Sequence, residues 1–221
     1  MSHRTGLVIP VREIAAMARA RGIDLIVDAA HSWQQLDFTL PDLDCDFVGL
    51  NGHKWRGAPL GVGILHICEG ALSRVDRAPA EDASGPDIVM VRTHTGMLDY
   101  ASWLTVPAAL PFQQRIDRAA RAARLRARRD CWVRQARLIP GIEILTPHDP
   151  MSHGAITSFR FRGRSSPQAN AAIAQRLLEQ HRFFTVHRTG AANGPCVRVT
   201  PPLFNSANDS ARLVEALSAF H

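Results

Sequence analysis

Apolar positions along the chain follow two different periods, and the switch between them outlines the elements. Val11, Ile14, Met17 and Ala18 recur three and four apart, after Pro10 and before Gly22, which predicts a helix opened by proline and stopped by glycine. Short continuous apolar runs follow. Leu25 to Val27 reads as a buried strand ending at Asp28, with further strands at residues 46–50 and 61–67. Buried strands interleaved with helices imply a sheet covered on both faces, the α/β class. Residues 74–87 are polar and rich in Ala, Pro, Gly and Asp, the composition of a loop. A helical region spans about 101–137 and is closed by Pro140 and Gly141. Beyond it, strands are expected at 142–145, 155–161, 183–188 and 196–200, with helices at 167–181 and 207–220. The second half therefore reads as a small α+β domain attached through a long helix.

Composition narrows the class. The chain has 221 residues, 46% of them hydrophobic, enough to bury a real core. No run approaches the roughly 18–20 apolar residues that a membrane-spanning helix needs, and residues 1–10 lack a basic region followed by an apolar signal core, so the expectation is a cytoplasmic protein. Cys45, Cys68, Cys131 and Cys196 are widely separated, without the close pairs of a zinc or redox site, and no metal is expected.

The net charge of +6 permits acidic partners. Much of the charge lies in residues 115–137, which hold nine arginines against Asp117 and Asp130. Ile116, Ala120, Ala123, Ala127 and Cys131 draw one narrow apolar stripe there, which predicts a long helix with a solvated basic flank. No aromatic interleaving accompanies the arginines, so a nucleic-acid surface is disfavoured against a solubilised connecting helix.

The chemistry-bearing residues gather at strand ends. Asp28 ends one expected strand and Lys54 lies just past the next, in the stretch NGHKW. In open α/β sheets, ligands bind outside the carboxyl ends of the strands. A carboxylate and an amine converging on one crevice suit pyridoxal phosphate, which needs a Schiff-base lysine and an acid to keep its ring nitrogen protonated. By spacing alone the alternatives stay open: a capping aspartate, a solvent-exposed lysine. A nucleotide phosphate loop is excluded, because GHKW lacks the required glycine spacing and the following Ser or Thr.

The wording around these residues is more specific. The stretch from "VDAAHS" to "GHKWRGAPLGVGIL", with "SH" at residues 2 and 3 and "VRVTPPLFN" near the C-terminus, resembles the class V aminotransferase family of pyridoxal phosphate enzymes, fold type I, and within it the isopenicillin N epimerase-like branch. The resemblance implies that Lys54 is the Schiff-base lysine, that Asp28 partners the pyridine nitrogen, and that His31 lies near the phenolic oxygen. It places His53 and Asn51 near the phosphate, and makes Arg198 the holder of the substrate α-carboxylate, with Arg188 a second candidate. Where relatives carry a Thr or Ser directly after a glycine, to reach the phosphate of the neighbouring subunit of a homodimer, this chain has Met97, with Thr95 as a substitute.

The resemblance also implies that the chain begins after the family's N-terminal segment. The fold expected is thus the C-terminal part of a pyridoxal phosphate transferase large domain, with a mostly parallel sheet, plus a small α+β domain. Residues 1–100 form the partial cofactor-binding domain, 101–137 the connecting helices and 138–221 the small domain. The implied function is an epimerase or aminotransferase acting on an amino acid, in a shortened form. The reading from another class is a catalytically silent remnant or basic binding module. Within enzymes, lyase chemistry and cysteine desulfuration remain as alternatives. The latter is disfavoured, because "RTGAANG" at 188–194 carries no cysteine.

Overall fold

The computed structural model describes residues 1–79, 81, 84–85, 88–93, 96–97 and 99–220. They form two compact units, and the chain passes between them more than once. One comprises Pro10–Trp33 and Phe38–Arg115; the other comprises Met1–Ile9, Gln34–Asp37 and Ile116–His221.

The first unit is built on a three-stranded sheet in the order β1 (Ile26–Asp28), β2 (Phe47–Asn51), β3 (Gly63–Ile67). The sheet is mixed: β1 and β2 run parallel, with Asp28 opposite Gly49, whereas β3 returns antiparallel to β2. Val48 and Leu50 of β2 pack with Ala15, Ala29 and Cys45, and with the half-buried Leu25 and Val27, on one face. Helix α1 (Val11–Arg19) presents Ala15 to this core. Ile14 and Met17 of the expected apolar stripe face outward instead, because a sheet of this size offers the helix only a narrow contact.

The first strand also departs from expectation. It is shifted by one residue and is not buried: Ile26 is 75% exposed. Among the described residues β1 pairs on one side only, and Ile26 and Leu65 are exposed on the face where Phe47, beneath Arg74, is buried. Among the described residues this unit also carries the α-helices α2 (Met90–Thr93), α3 (Tyr100–Leu104) and α4 (Val106–Gln114). Asp99 caps α3 by accepting from the Ser102 N–H.

In the second unit, α5 (Arg118–Ala136) starts at the N-cap Asp117, whose carboxylate accepts from the Ala120 N–H at 3.0 Å. An antiparallel sheet follows in the order β4 (Ile142–Ile144), β5 (Thr157–Phe161), β7 (Cys196–Val199), β6 (Val186–Arg188). Helix α6 (Pro167–His181) has Ser166 as N-cap and proline at its first position; α7 (Ala207–Ser218) opens with a capping box between Ser206 and Asp209. Alternation along the strands sends Phe159, Phe161, Val197 and Val199 to one face, where they bury against α5, α6 and α7. Trp132 meets Phe159 edge-on at 6.3 Å between ring centres.

The buried stripe of α5 is not the one expected. Ala123 and Ala127 are exposed, while Arg121, Ala122, Leu125, Arg129, Trp132, Val133 and Ala136 face the interior. Arg129 is accepted there because its fork is satisfied: Nε donates to Thr157 Oγ1 at 2.9 Å, and Nη1 donates to Asp130 at 2.7 Å and to His153 Nε2 at 3.1 Å. Arg121 donates to the Gln34 side chain and to the Ile116 carbonyl. Two of the nine arginines are therefore part of the core, and the basic flank is correspondingly smaller.

The sheet's other face is polar, and residues 2–8 lie along it as a strap. Ser158 Oγ donates to the Arg4 carbonyl, Thr146 Oγ1 donates to the Thr5 carbonyl, and Leu7 bridges to His153. Gly6 makes the strap's closest approach. Its φ is +75°, and a Cβ there would lie 2.0 Å from the Ile156 carbonyl oxygen.

Candidate functional site

In the first unit the site residues sit where strands end. Asp28 is the last residue of β1, and its Oδ1 accepts from the Ala30 N–H at 2.9 Å, which fixes the carboxyl group and leaves it exposed. His31 follows in the turn after β1, half-buried. Because Asp28 pairs with Gly49 in parallel register, the end of β2 at Asn51 lies on the same side of the sheet.

The loop from Gly52 to Ala58 begins there and is closed by the chain itself. Gly52 N–H donates to the Val62 carbonyl and Ala58 N–H donates to the Gly52 carbonyl, each at 2.9 Å. Gly52 is needed because a Cβ would fall 2.9 Å from Ala58 Cβ and 3.3 Å from Val62 Cγ1. Within the loop, Lys54 N–H donates to Asn51 Oδ1 at 3.3 Å, and the Lys54 side chain is exposed. His53 Nδ1 and Trp55 Nε1 are both buried without a hydrogen-bond partner, two polar atoms with unmet capacity on either side of the lysine. The orphaned Trp55 N–H is a feature that no spacing rule reveals. Arg56 stacks over the Trp33 ring at 5.0 Å from its centre and braces the loop against the turn after β1.

These residues fit a pyridoxal phosphate group chemically. They offer an exposed amine for its aldehyde, a carboxylate for its ring nitrogen, and an orphaned Trp55 N–H and an unpartnered His53 ring nitrogen for its oxygens. Thr95 lies outside the described residues, and the Met97 side chain is fully exposed.

The second unit carries the two arginines. Arg198 on β7 is directly opposite Val186, and Arg188 on β6 is directly opposite Cys196, so both project from the polar face as diagonal neighbours. Arg198 Nη1 donates to the His3 carbonyl at 2.8 Å, which orients its fork from the strap. Nε of Arg198 and Nε of Arg188 are buried and without partners. Burial, and then the Arg188 charge, push Arg198 down to about 10, still fully protonated at neutral pH. Cys196 is buried on the same face, and burial pushes its thiol up, away from the thiolate that nucleophilic chemistry requires. The His3 contact spans 195 positions and has no local sequence signal.

Among the described residues no group of three or more His, Cys, Asp or Glu is arranged to hold a metal ion, and no helix is long and apolar enough to cross a membrane.

Comparison with known proteins gives this arrangement its context. The family model "Aminotransferase class-V" matches residues 1–181. The isopenicillin N epimerase of Streptomyces clavuligerus is 31% identical over 97% of this chain and 57% of its own length, and that of Amycolatopsis lactamdurans is 31% identical over 96% and 56%. The cystine C-S lyase C-DES, solved with cysteine persulfide, superposes with a TM-score of 0.81 at 25% identity, over 98% of this chain and 58% of its own. A cysteine desulfurase from Thermococcus onnurineus NA1 shares the fold, with a TM-score of 0.77 at 21% identity over 100% of this chain and 58% of its own. The chain thus spans a little over half the length of the curated relatives it matches over nearly its whole extent. With the matched region covering most of the chain, the protein belongs to the aminotransferase class-V family of pyridoxal phosphate-dependent proteins.

Proposed function

We propose that the chain supplies the cofactor lysine and the substrate-carboxylate arginine of a pyridoxal phosphate-dependent enzyme that epimerises or transaminates an amino acid. The observation that carries this reading is the parallel pairing of Asp28 with Gly49, which sets the Asp28 carboxylate and the start of the Lys54 loop at the same end of adjacent strands. Bound there, the cofactor supplies an electron sink for the substrate's α-carbon. Lys54 would hold it through its aldehyde, and the Lys54 amine would carry a proton at that α-carbon. Asp28 keeps the ring nitrogen protonated, and His31 serves the phenolic oxygen. His53 and Asn51 offer donors to the phosphate, with Thr95 a further candidate. Arg198 holds the α-carboxylate through the edge of its fork that His3 leaves open.

Desulfuration through a cysteine nucleophile is not supported, because Cys196 is buried and its thiol is held protonated. The remaining elements of the reading are a homodimer, which follows from the family resemblance, and a cytoplasmic setting; both belong to the same proposal.

The test is spectroscopic. Mixing the purified chain with pyridoxal phosphate is expected to produce a visible absorbance band of lysine-bound cofactor that Lys54→Ala abolishes. Soluble, folded wild-type protein with no such band would overturn cofactor binding by this chain alone. Candidate amino acids followed for racemisation, keto-acid formation and sulfide release then separate epimerase, aminotransferase and lyase.

A further inference from the structure

The polar face of the second unit's sheet holds more positive charge than one carboxylate can answer. Arg188 and Arg198 are diagonal neighbours on β6 and β7, a relation that puts their Cα atoms about 7–8 Å apart. Ser158 stands directly opposite Arg198 on β5, and Arg160 stands two residues farther along that strand on the same face. Among the described residues the one carboxylate at hand, Glu143, lies opposite Arg160 on β4 and is already engaged by it at 2.8 Å and by Arg162 at 3.6 Å. Arg160 also donates to the Asn193 carbonyl, and Arg4 donates to the Gly190 carbonyl at 2.6 Å, so both of these guanidiniums have acceptors.

Arg188 and Arg198 do not have carboxylate partners among the described residues, and each keeps a buried, partnerless Nε. Two adjacent guanidiniums that repel each other, both partly desolvated and both with unmet donors, form a site that a single monoanion leaves half-neutralised. The residues around them are already matched: Ser158 Oγ is spent on the Arg4 carbonyl, and Cys196 is a buried neutral thiol.

Building on the carboxylate role of Arg198 proposed above, we infer that the substrate is dianionic: its α-carboxylate is held by Arg198 and a second acidic group is held by Arg188. Arg188 is then a specificity-determining residue. It selects for the second charge, while Arg198 serves every amino acid alike. The strap sharpens that selection, because the His3 carbonyl consumes one N–H of Arg198, while Arg4 pins Gly190 and with it the turn that follows Arg188. A Cβ at Gly190 would approach Arg4 Nη1 to 3.0 Å, and its φ of +74° favours glycine, so this contact is close.

The experiment needs no cofactor. Binding of butyrate and of the dicarboxylates from succinate to pimelate is titrated calorimetrically into the chain at fixed ionic strength. At least one dicarboxylate is expected to bind about tenfold or more tightly than butyrate. Arg188→Ala is expected to bring that ratio close to one while butyrate binding persists, and Arg198→Ala to weaken both ligands. Arg188→Lys, which keeps the charge without the fork, should retain part of the preference. Arg124→Ala, on the exposed side of α5, removes the same unit of charge elsewhere and should leave the ratio unchanged.

Butyrate binding that depends on Arg198, with no dicarboxylate preference or with a preference that Arg188→Ala leaves intact, overturns the dianion inference and spares the carboxylate role of Arg198. Loss of the preference in Arg124→Ala would show a bulk charge effect and also overturn it. Absence of carboxylate binding to wild type overturns both assignments, while the absorbance test of Lys54 stands separately.

Discussion

His153 is 2% exposed and accepts from Arg129 Nη1, an obligate donor, so Nε2 must carry no proton in the folded protein. Burial first, and the Arg129 charge second, hold this imidazole below its usual value. The linkage follows from that sign. The unfolded chain takes up a proton at the ordinary imidazole pKa of about 6.5 while the folded one resists, so His153 supports the fold above that pH and the support is lost as pH falls below it. Chemical denaturation between pH 7.5 and 5 is expected to show stability declining by at most about 1.4 kcal/mol per pH unit, a slope that His153→Gln flattens. Carboxylates held low, such as Asp149 beside Ser152, add their losses only at more acid pH. None of this is legible in the sequence, where Arg129 and His153 stand 24 positions apart. The arginines of α5 read as a solvated flank because arginine is rarely buried, and only tertiary partners identify the two that are. Asp28 and Lys54 are different: they stand beside apolar runs whose ends are visible, so their placement at the ends of β1 and β2 follows from local pattern.

Elements with strong local punctuation are those read best. Helix α6 spans the 167–181 expected of it, because Ser166 and Pro167 mark its start, and the left-handed Arg182 ends it. Strands β5 and β7 likewise lie within their expected apolar runs. The strap over residues 2–8 was beyond such reasoning, since every partner that fixes it is distant in sequence. Its weak point is Gly6, where both φ and the 2.0 Å approach to the Ile156 oxygen exclude a side chain. Gly6→Ala is expected to destabilise the protein by about 1–3 kcal/mol in denaturant titrations and to raise amide exchange at Val8, whose N–H donates to the Ser152 carbonyl. A stability unchanged within about 0.5 kcal/mol would mean that the strap contributes nothing to the sheet.

For the molecule as a whole, the exposed apolar side chains and open edge of the β1–β2–β3 sheet bear on behaviour in solution. Ile26 and Leu65 expose apolar surface there, and β1 offers an unpaired edge among the described residues. The chain is expected to self-associate with rising concentration in analytical ultracentrifugation, and Ile26→Lys, which sets a charge on that edge, should shift it towards the monomer mass of 24.3 kDa. A wild-type chain that stays monomeric throughout would show that this face is harmless. The sequence read β1 as buried because an apolar run carries no record of whether a neighbouring strand is present.

The chain's repeated passage between its two units carries a kinetic consequence. The strap docks onto β5 and β7, and its contacts close loops of 154 positions for Ser158 with Arg4 and 195 for Arg198 with His3. Contacts of such high order impose their loop-closure entropy before they contribute any stability, which slows folding. Arg198 therefore acquires its final orientation late in folding, when segments far apart in the sequence meet.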